Sequence, residues 1–191
     1  MRIVGGSAGG RKLLTPRGLD TRPTSDKVKE ALFSILAGMM GPLDGCAVLD
    51  VFAGTGNLGI EALSRGAGRA VFIDSGREAA AIIAKNLELT GFGDRAGVVA
   101  RDFRSALTAM EAKGELFELI FIDPPYQKGL LEKCLAQLGE SPIIDNGAVI
   151  VAEHSSREEI GTEYGMLQRC DSRVYGDTAL AFFIKHKKGS S

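Results

Sequence analysis

Apolar residues fall into two rhythms along this chain. From Cys46 onward, short apolar runs at 47–51, 70–74, 97–100, 116–122 and 148–152 alternate with stretches of helical spacing at 58–65, 78–89, 103–112 and 130–138. Runs that are apolar throughout suit strands buried on both faces, so the alternation predicts a parallel sheet covered by helices. Upstream, Val28, Ala31, Leu32, Ile35 and Leu36 follow an i, i+3, i+4, i+7, i+8 stripe. That stripe predicts an amphipathic helix over 24–37, capped by Thr24 or Ser25 and ended by Gly38. Toward the other end, 167–174 and 179–184 read as strands joined at Tyr175-Gly176-Asp177-Thr178, an antiparallel hairpin. Residues 1–23 are rich in glycine and basic residues. Here Arg11-Lys12-Leu13-Leu14 can pair back on Arg2-Ile3-Val4 as a small hairpin, an extension expected to lie outside the core and to be dispensable for a ligand on the sheet.

Composition narrows the classes. With 191 residues, 45% of them hydrophobic, the chain can bury a full single-domain core. A formal net charge of -1 means that any contact with a polyanion must be local. Residues 1–30 supply such a place, with Arg2, Arg11, Lys12, Arg17, Arg22, Lys27 and Lys29 against Asp20, Asp26 and Glu30, a local excess that suits phosphates. Cys46, Cys134 and Cys170 form no CxxC pair, so they are expected as free thiols, and neither disulfides nor a metal site is expected. No apolar run approaches a signal peptide or the roughly 20 residues of a membrane span, which predicts a cytoplasmic protein with no membrane partner.

The candidate chemistry begins directly after the first strand. Asp50-Val51-Phe52-Ala53-Gly54-Thr55-Gly56-Asn57-Leu58-Gly59 places G-x-G-x-x-G between a strand and a helix, the setting in which that motif binds a nucleotide-like ligand. Gly54 and Gly56 allow a sharp turn close to a ligand, and Gly59 lets the helix pack tightly on the sheet. Asp74 ends the second strand about twenty residues later, where a carboxylate can accept from both hydroxyls of a ribose. Together these features predict an adenosine ligand without choosing between a nicotinamide dinucleotide and S-adenosylmethionine. Asp102 follows the third strand and can accept the adenine amino group, beside the Phe103 N–H, or cap the next helix. Asp50 is expected to orient the glycine loop or the far end of the ligand.

Phe121-Ile122-Asp123-Pro124-Pro125-Tyr126 ends the fourth strand, which a parallel sheet brings beside the first. Pro124 and Pro125 remove two N–H donors and leave carbonyls, so with the Asp123 carboxylate the segment offers paired acceptors to an NH2 group. An exocyclic amine on a base needs such help, because its lone pair is delocalised into the ring. Tyr126 supplies a flat face on which the base can stack. Asp123, Pro124, Pro125 and Tyr126 are therefore the expected catalytic set, acting without a metal.

Taken together, the chain resembles the RsmD-type family of ribosomal RNA guanine-N2 methyltransferases. The resemblance runs through Arg2-Ile3-Val4-Gly5-Gly6, Gly10-Arg11-Lys12-Leu13, Thr21-Arg22-Pro23-Thr24 and Glu30-Ala31-Leu32-Phe33. It continues in Phe52-Ala53-Gly54-Thr55-Gly56, Leu58-Gly59-Ile60-Glu61-Ala62-Leu63-Ser64-Arg65-Gly66-Ala67, Asp123-Pro124-Pro125-Tyr126 and Tyr175-Gly176-Asp177-Thr178. It implies a Rossmann-like class I methyltransferase, α/β, with a seven-stranded mostly parallel sheet and one antiparallel strand over 41–191, preceded by a basic extension over 1–40. The implied cofactor is S-adenosylmethionine, held by Asp50, Gly54, Gly56, Asn57, Gly59, Asp74, Asp102 and Phe103. The implied reaction methylates the N2 amine of a guanine in 16S rRNA of the small ribosomal subunit, with Arg2, Arg11, Lys12, Arg22 and Thr24 on the RNA and a monomeric enzyme. Two positions depart from the family: Asp74 stands where Glu is common, and Gly9 where Arg is frequent. Rival readings are methylation of adenine N6 in DNA or of a protein glutamine, a nicotinamide oxidoreductase, and a non-catalytic RNA-binding module. Asp123, where glutamine enzymes usually have Asn, counts against the second, and the short chain with its Asp-Pro-Pro-Tyr segment against the oxidoreductase.

Overall fold

The computed structural model describes residues 1–16, 25–125 and 129–185. Five strands pair in parallel in the order β3-β2-β1-β4-β5: β1 (Ala47–Val51), β2 (Arg69–Asp74), β3 (Ala96–Ala100), β4 (Phe117–Ile122) and β5 (Ile144–Ser155). The other edge is antiparallel. A two-residue strand, β6 (Glu163–Tyr164), lies outermost, and β7 (Leu167–Tyr175) and β8 (Thr178–Lys185) form the expected hairpin, with β8 running against β5. The α/β class and the reversed strand are as expected, while the described residues form a sheet of eight strands where seven were expected. The additional one is β6, whose two residues are too few to leave an apolar rhythm in the sequence.

Helices cover both faces. On one lie α1 (Asp26–Met40), α2 (Asn57–Ser64) and α3 (Arg77–Thr90), and on the other α4 (Phe103–Ala112) and α5 (Leu130–Glu140). Ser25 caps α1, its hydroxyl accepting the Val28 N–H at 3.3 Å. Gly38 does not end this helix. A glycine inside a helix costs about 1 kcal/mol, and Met40, packed against the core, carries α1 on to Gly41 at φ 76°.

Alternation along the strands sorts side chains between the faces. Val48, Phe72, Phe121 and Val151 join the cluster under α1 to α3, whereas Leu49, Val51, Ile120, Ile122 and Ile150 join the one under α4 and α5. The same period carries Asp50, Asp74 and Glu153, each two residues beyond a member of the first cluster, onto that face at the carboxyl ends of β1, β2 and β5.

Residues 1–16 lie outside the sheet but not outside the core. Ile3, Ala8 and Leu13 are buried in the cluster that holds Leu32, Leu63 and Phe72. Arg2 and Lys12 form a single antiparallel bridge, supported by hydrogen bonds from the Ile3 N–H to the Arg11 carbonyl (2.9 Å) and from the Gly10 N–H to the Ile3 carbonyl (2.8 Å). Among the described residues no helix is long and apolar enough to cross a membrane.

Gly59 sets how closely α2 lies on the sheet, because a Cβ there would overlap the Phe72 ring and stand 3.2 Å from Asp50 Oδ2. Gly59→Ala is therefore expected to lower the unfolding free energy by about 1–3 kcal/mol. Gly38→Ala, where a Cβ meets nothing within 4 Å, should raise it slightly, by up to about 1 kcal/mol. Urea unfolding of both variants checks this, and an unchanged midpoint for Gly59→Ala would remove the close contact from the account.

Candidate active site

Between β1 and α2 the chain makes a tight loop. Gly54 and Gly56 have φ of 56° and 77°, values that the side-chain-free residues accept without strain. Phe52 also sits at φ 63°, the one non-glycine residue with positive φ among the described residues, and such a conformation costs about 1–3 kcal/mol. It is held there on two sides, by its ring against Phe103 at 5.1 Å between centroids and by the adjoining Ala53 N–H donating to the Ile73 carbonyl at 2.9 Å. Sequence reading passed over Phe52, since an aromatic residue after a strand reads as ordinary core.

Two carboxylates brace this loop. Asp74 takes the Gly54 N–H on Oδ2 (2.9 Å) and the Gly76 N–H on Oδ1 (2.8 Å). Each oxygen keeps a further lone pair, so the residue expected to meet a ribose also ties the glycine loop to the end of β2. Asp50 Oδ2 accepts the Gly59 N–H at 2.9 Å from inside α2, the orienting contact its position suggested. The loop stays open above Gly54, where a Cβ would meet nothing nearer than the Phe52 carbonyl at 4.0 Å. Asn57 is buried, and its Oδ1 accepts from Lys29 Nζ at 2.6 Å.

Asp102 takes the capping role that was its other reading. Its carboxylate accepts the Arg104 N–H at 3.1 Å and pairs with Arg104 Nε at 2.9 Å, and those bonds to Arg104 hold its carboxyl below the usual range. Phe103 beside it is buried at the start of α4.

Asp123 follows β4, its N–H donating to the Val51 carbonyl at 3.4 Å, so it stands over the end of β1. Enclosure, then the carboxylates of Glu153 and Asp50, push its carboxyl well above the carboxylate range. Pro124 is buried and Pro125 exposed, and Tyr126 lies outside the described residues. Glu153 was missed by sequence reading. Its only trace was an acid directly after the apolar run 148–152, and its meaning depends on the parallel register that sets Val151 beside Phe121 and hence Glu153 near Asp123.

Asp50 is raised to about 7, first by burial and then by Asp74, with the Gly59 N–H opposing. Among the described residues, no cationic side chain acts strongly on Asp50 or Asp123. An uncovered backbone at Gly54, acceptors at Asp74 and closely set carboxyl groups at Asp50 and Asp123 together suit a ligand that brings hydroxyls and positive charge. No cluster of His, Cys, Asp or Glu among the described residues could hold a metal ion.

The residues expected on RNA are partly visible. Arg2 is exposed and paired with Asp26 at 2.7 Å, Arg11 donates from Nη1 to the Leu89 carbonyl at 2.7 Å, and Lys12 is exposed. Arg22 and Thr24 lie outside the described residues.

Comparison with known proteins follows this geometry. The model of the family described as conserved hypothetical protein 95 matches residues 1–184. The chain is 39% identical to the YlbH protein of Bacillus subtilis (strain 168), over 97% of this chain and 99% of the relative. It is 32% identical to ribosomal RNA small subunit methyltransferase D of Escherichia coli (strain K12), over 100% of this chain and 93% of the relative. Among solved structures, a hypothetical protein of Thermus thermophilus superposes with a TM-score of 0.83 at 32% identity, covering 97% of this chain and 99% of that one.

Asp50 generates a prediction about stability. Its folded value of about 7 lies above the ordinary 3.8, so the folded form binds its proton more tightly than the unfolded form does. Its contribution to stability is thus full below pH 3.8 and is lost as pH rises through about 7. In the ligand-free protein, Asp50→Asn, which keeps an oxygen for the Gly59 N–H, should flatten the fall in unfolding free energy across that window. Denaturant titrations at several pH values decide it, and a slope identical to wild type would show that Asp50 is ionised when folded.

Proposed function

The chain belongs to the RsmD family, and on that premise we propose that it is an S-adenosylmethionine-dependent methyltransferase acting on the N2 amine of a guanine in small-subunit 16S rRNA. The observation that carries the amine reading is the position of Asp123, enclosed at the end of β4, over the end of β1 and close to Glu153 and Asp50. The relative named ribosomal RNA small subunit methyltransferase D, matched over the whole of this chain, supports rRNA as the substrate class.

When bound, S-adenosylmethionine supplies an electrophilic methyl group carried on a sulfonium. Gly54 and Gly56 let the loop backbone approach it, Asp74 accepts from ribose hydroxyls, and the acids at Asp50 and Asp123 favour its positive charge. Asp123 and the Pro124 carbonyl accept the two amine hydrogens of the base, and Tyr126 stacks on its face. Transfer of that methyl group to the amine nitrogen would release S-adenosylhomocysteine, and Asp123 or water would take the amine proton. A carboxyl held above its ordinary range is a better proton acceptor than an exposed one, which suits Asp123 to that step. Positioning of the reacting groups does most of the remaining work. Arg11, Lys12 and Arg22 contribute phosphate contacts from the basic segment.

Labelled S-adenosylmethionine incubated with small subunits, naked 16S rRNA, DNA and protein extract tests the reading. N2-methylguanine in 16S rRNA is expected, whereas label in adenine or glutamine, or none in any substrate, would overturn it.

Asp123→Asn keeps the shape and removes the charged acceptor, so single-turnover methylation should fall by at least about a hundredfold with cofactor affinity nearly unchanged. Asp74→Ala should do the reverse, weakening the cofactor with a smaller effect on the saturated rate. Full turnover in Asp123→Ala would remove the mechanism.

Because Glu153 raises the Asp123 carboxyl and Asp123 accepts hydrogens only when ionised, Glu153→Gln should lower that value. The acidic limb of the pH–rate profile should then move to lower pH. An unmoved limb would detach Glu153 from the site.

A further inference from the structure

Lys29 on α1 and Asn86 on α3 are fully buried, and neither stands at the strand ends. Lys29 Nζ donates to Asn57 Oδ1 at 2.6 Å and to the Arg2 carbonyl, with Glu61 at 3.6 Å. Asn86 Nδ2 donates to the Thr55 carbonyl at 2.9 Å and to the Leu14 carbonyl at 3.1 Å, while its Oδ1 accepts the Leu14 N–H at 2.7 Å. Each side chain therefore has one partner in the glycine loop and one in the N-terminal segment. Two buried polar groups from different helices span the same two pieces of chain.

Burying an ammonium is costly, and a packed apolar side chain commonly does as well for stability alone. Here burial forces its hydrogen-bond demand onto particular atoms, because an unmet donor in this environment costs about 1–3 kcal/mol. If residues 1–14 leave, Lys29 and Asn86 each lose a partner, and their hold on Thr55 and Asn57 loosens. The reverse follows equally, since a ligand that orders the loop fixes Lys29 and Asn86 in the positions that hold the segment.

We propose that Lys29 and Asn86 are positioning residues of the cofactor loop, and that through them the N-terminal segment and the S-adenosylmethionine site order one another. This rests on reading the glycine loop as the cofactor site. It replaces the expectation that the segment is dispensable for the cofactor. Where the segment also carries RNA contacts, cofactor-loaded protein binds RNA more tightly than ligand-free protein.

The test combines amide hydrogen exchange with S-adenosylmethionine titration on wild type, Lys29→Met and Leu14→Pro. The last removes the N–H that Asn86 accepts and restricts the backbone at an exposed side chain far from the strand ends in sequence, and so guards against misfolding of a core variant. Without ligand, both variants should speed exchange of the Gly54, Gly56 and Gly59 amides while the amides of β4 keep wild-type rates. Both should weaken S-adenosylmethionine binding by about fivefold or more, the lower end of usual coupling between sites. Cofactor added to wild type should slow exchange at Ile3, Gly10 and Leu14. Wild-type loop exchange in both variants, or unchanged affinity, would overturn the proposal. Wild type that binds no S-adenosylmethionine would instead overturn the cofactor reading, and ligand-free exchange would still decide whether the two side chains position the loop.

Discussion

Helix α2 can rest against β2 only because position 59 has no side chain. The Phe72 ring fills the space a Cβ would need, and the same closeness brings the Gly59 N–H within 2.9 Å of Asp50. That single contact aligns the start of α2 with the carboxyl ends of β1 and β2, so the loop between them must turn within a few residues. The positive φ values at Phe52, Gly54 and Gly56 are the geometric result. Asp74 can then reach the Gly54 N–H from the next strand, and two carboxylates add to the loop's own bond from the Gly56 N–H to the Ala53 carbonyl at 2.7 Å.

The carboxyl edge that results is crowded with acid. Asp50, Asp74, Asp123 and Glu153 come from four different strand ends, and parallel register brings them onto one face. Asp50 and Asp123 are raised out of the ordinary carboxylate range by enclosure and by the acids beside them. A core built for stability alone would avoid this arrangement, because like charges in a low-dielectric setting repel. It becomes useful when a positively charged ligand and an amine that must lose a proton share the site. The fold thus gathers carboxyl groups at the edge where a positively charged ligand is favoured.

On the outer side of the same loop, neutral and paired groups do the opposite work. Glu61 accepts the N–H groups of Val4 and Gly5 at 2.8 Å each and the Arg65 Nε at 2.8 Å, with Lys29 beside it, so its buried charge is compensated. Asn86 uses both ends of its amide. The glycine loop therefore separates an acidic edge from a fully bonded side made with the N-terminal segment. This is why a stretch that reads in sequence as a basic appendage is packed as core.

How much of this the chain spells out depends on the range of the forces involved. The central strands, α2 to α5, the β7–β8 hairpin and the glycine loop were legible, because each follows from neighbours within a few residues: apolar period, turn glycines, caps. The place of Asp123 at the end of β4 was legible as well, since Asp-Pro-Pro closes an apolar strand. The end of α1 was not, because contacts of Met40 with the core outweighed a local glycine signal, and β6 was too short to leave one. Glu153, Phe52, Asn86 and the full burial of Lys29, which the sequence counts among the cations suited to phosphates, were invisible for another reason. The acid matters only beside Asp123, the aromatic only in a conformation forced from both sides, and the two buried polar residues only because segments distant in the chain meet on either side of them. Sequence alone determined the class of fold and which loop and strand ends meet at the carboxyl edge of the sheet. Tertiary structure decided which charges are compensated and which pieces of chain hold one another, because both depend on burial and on partners that no local pattern can supply.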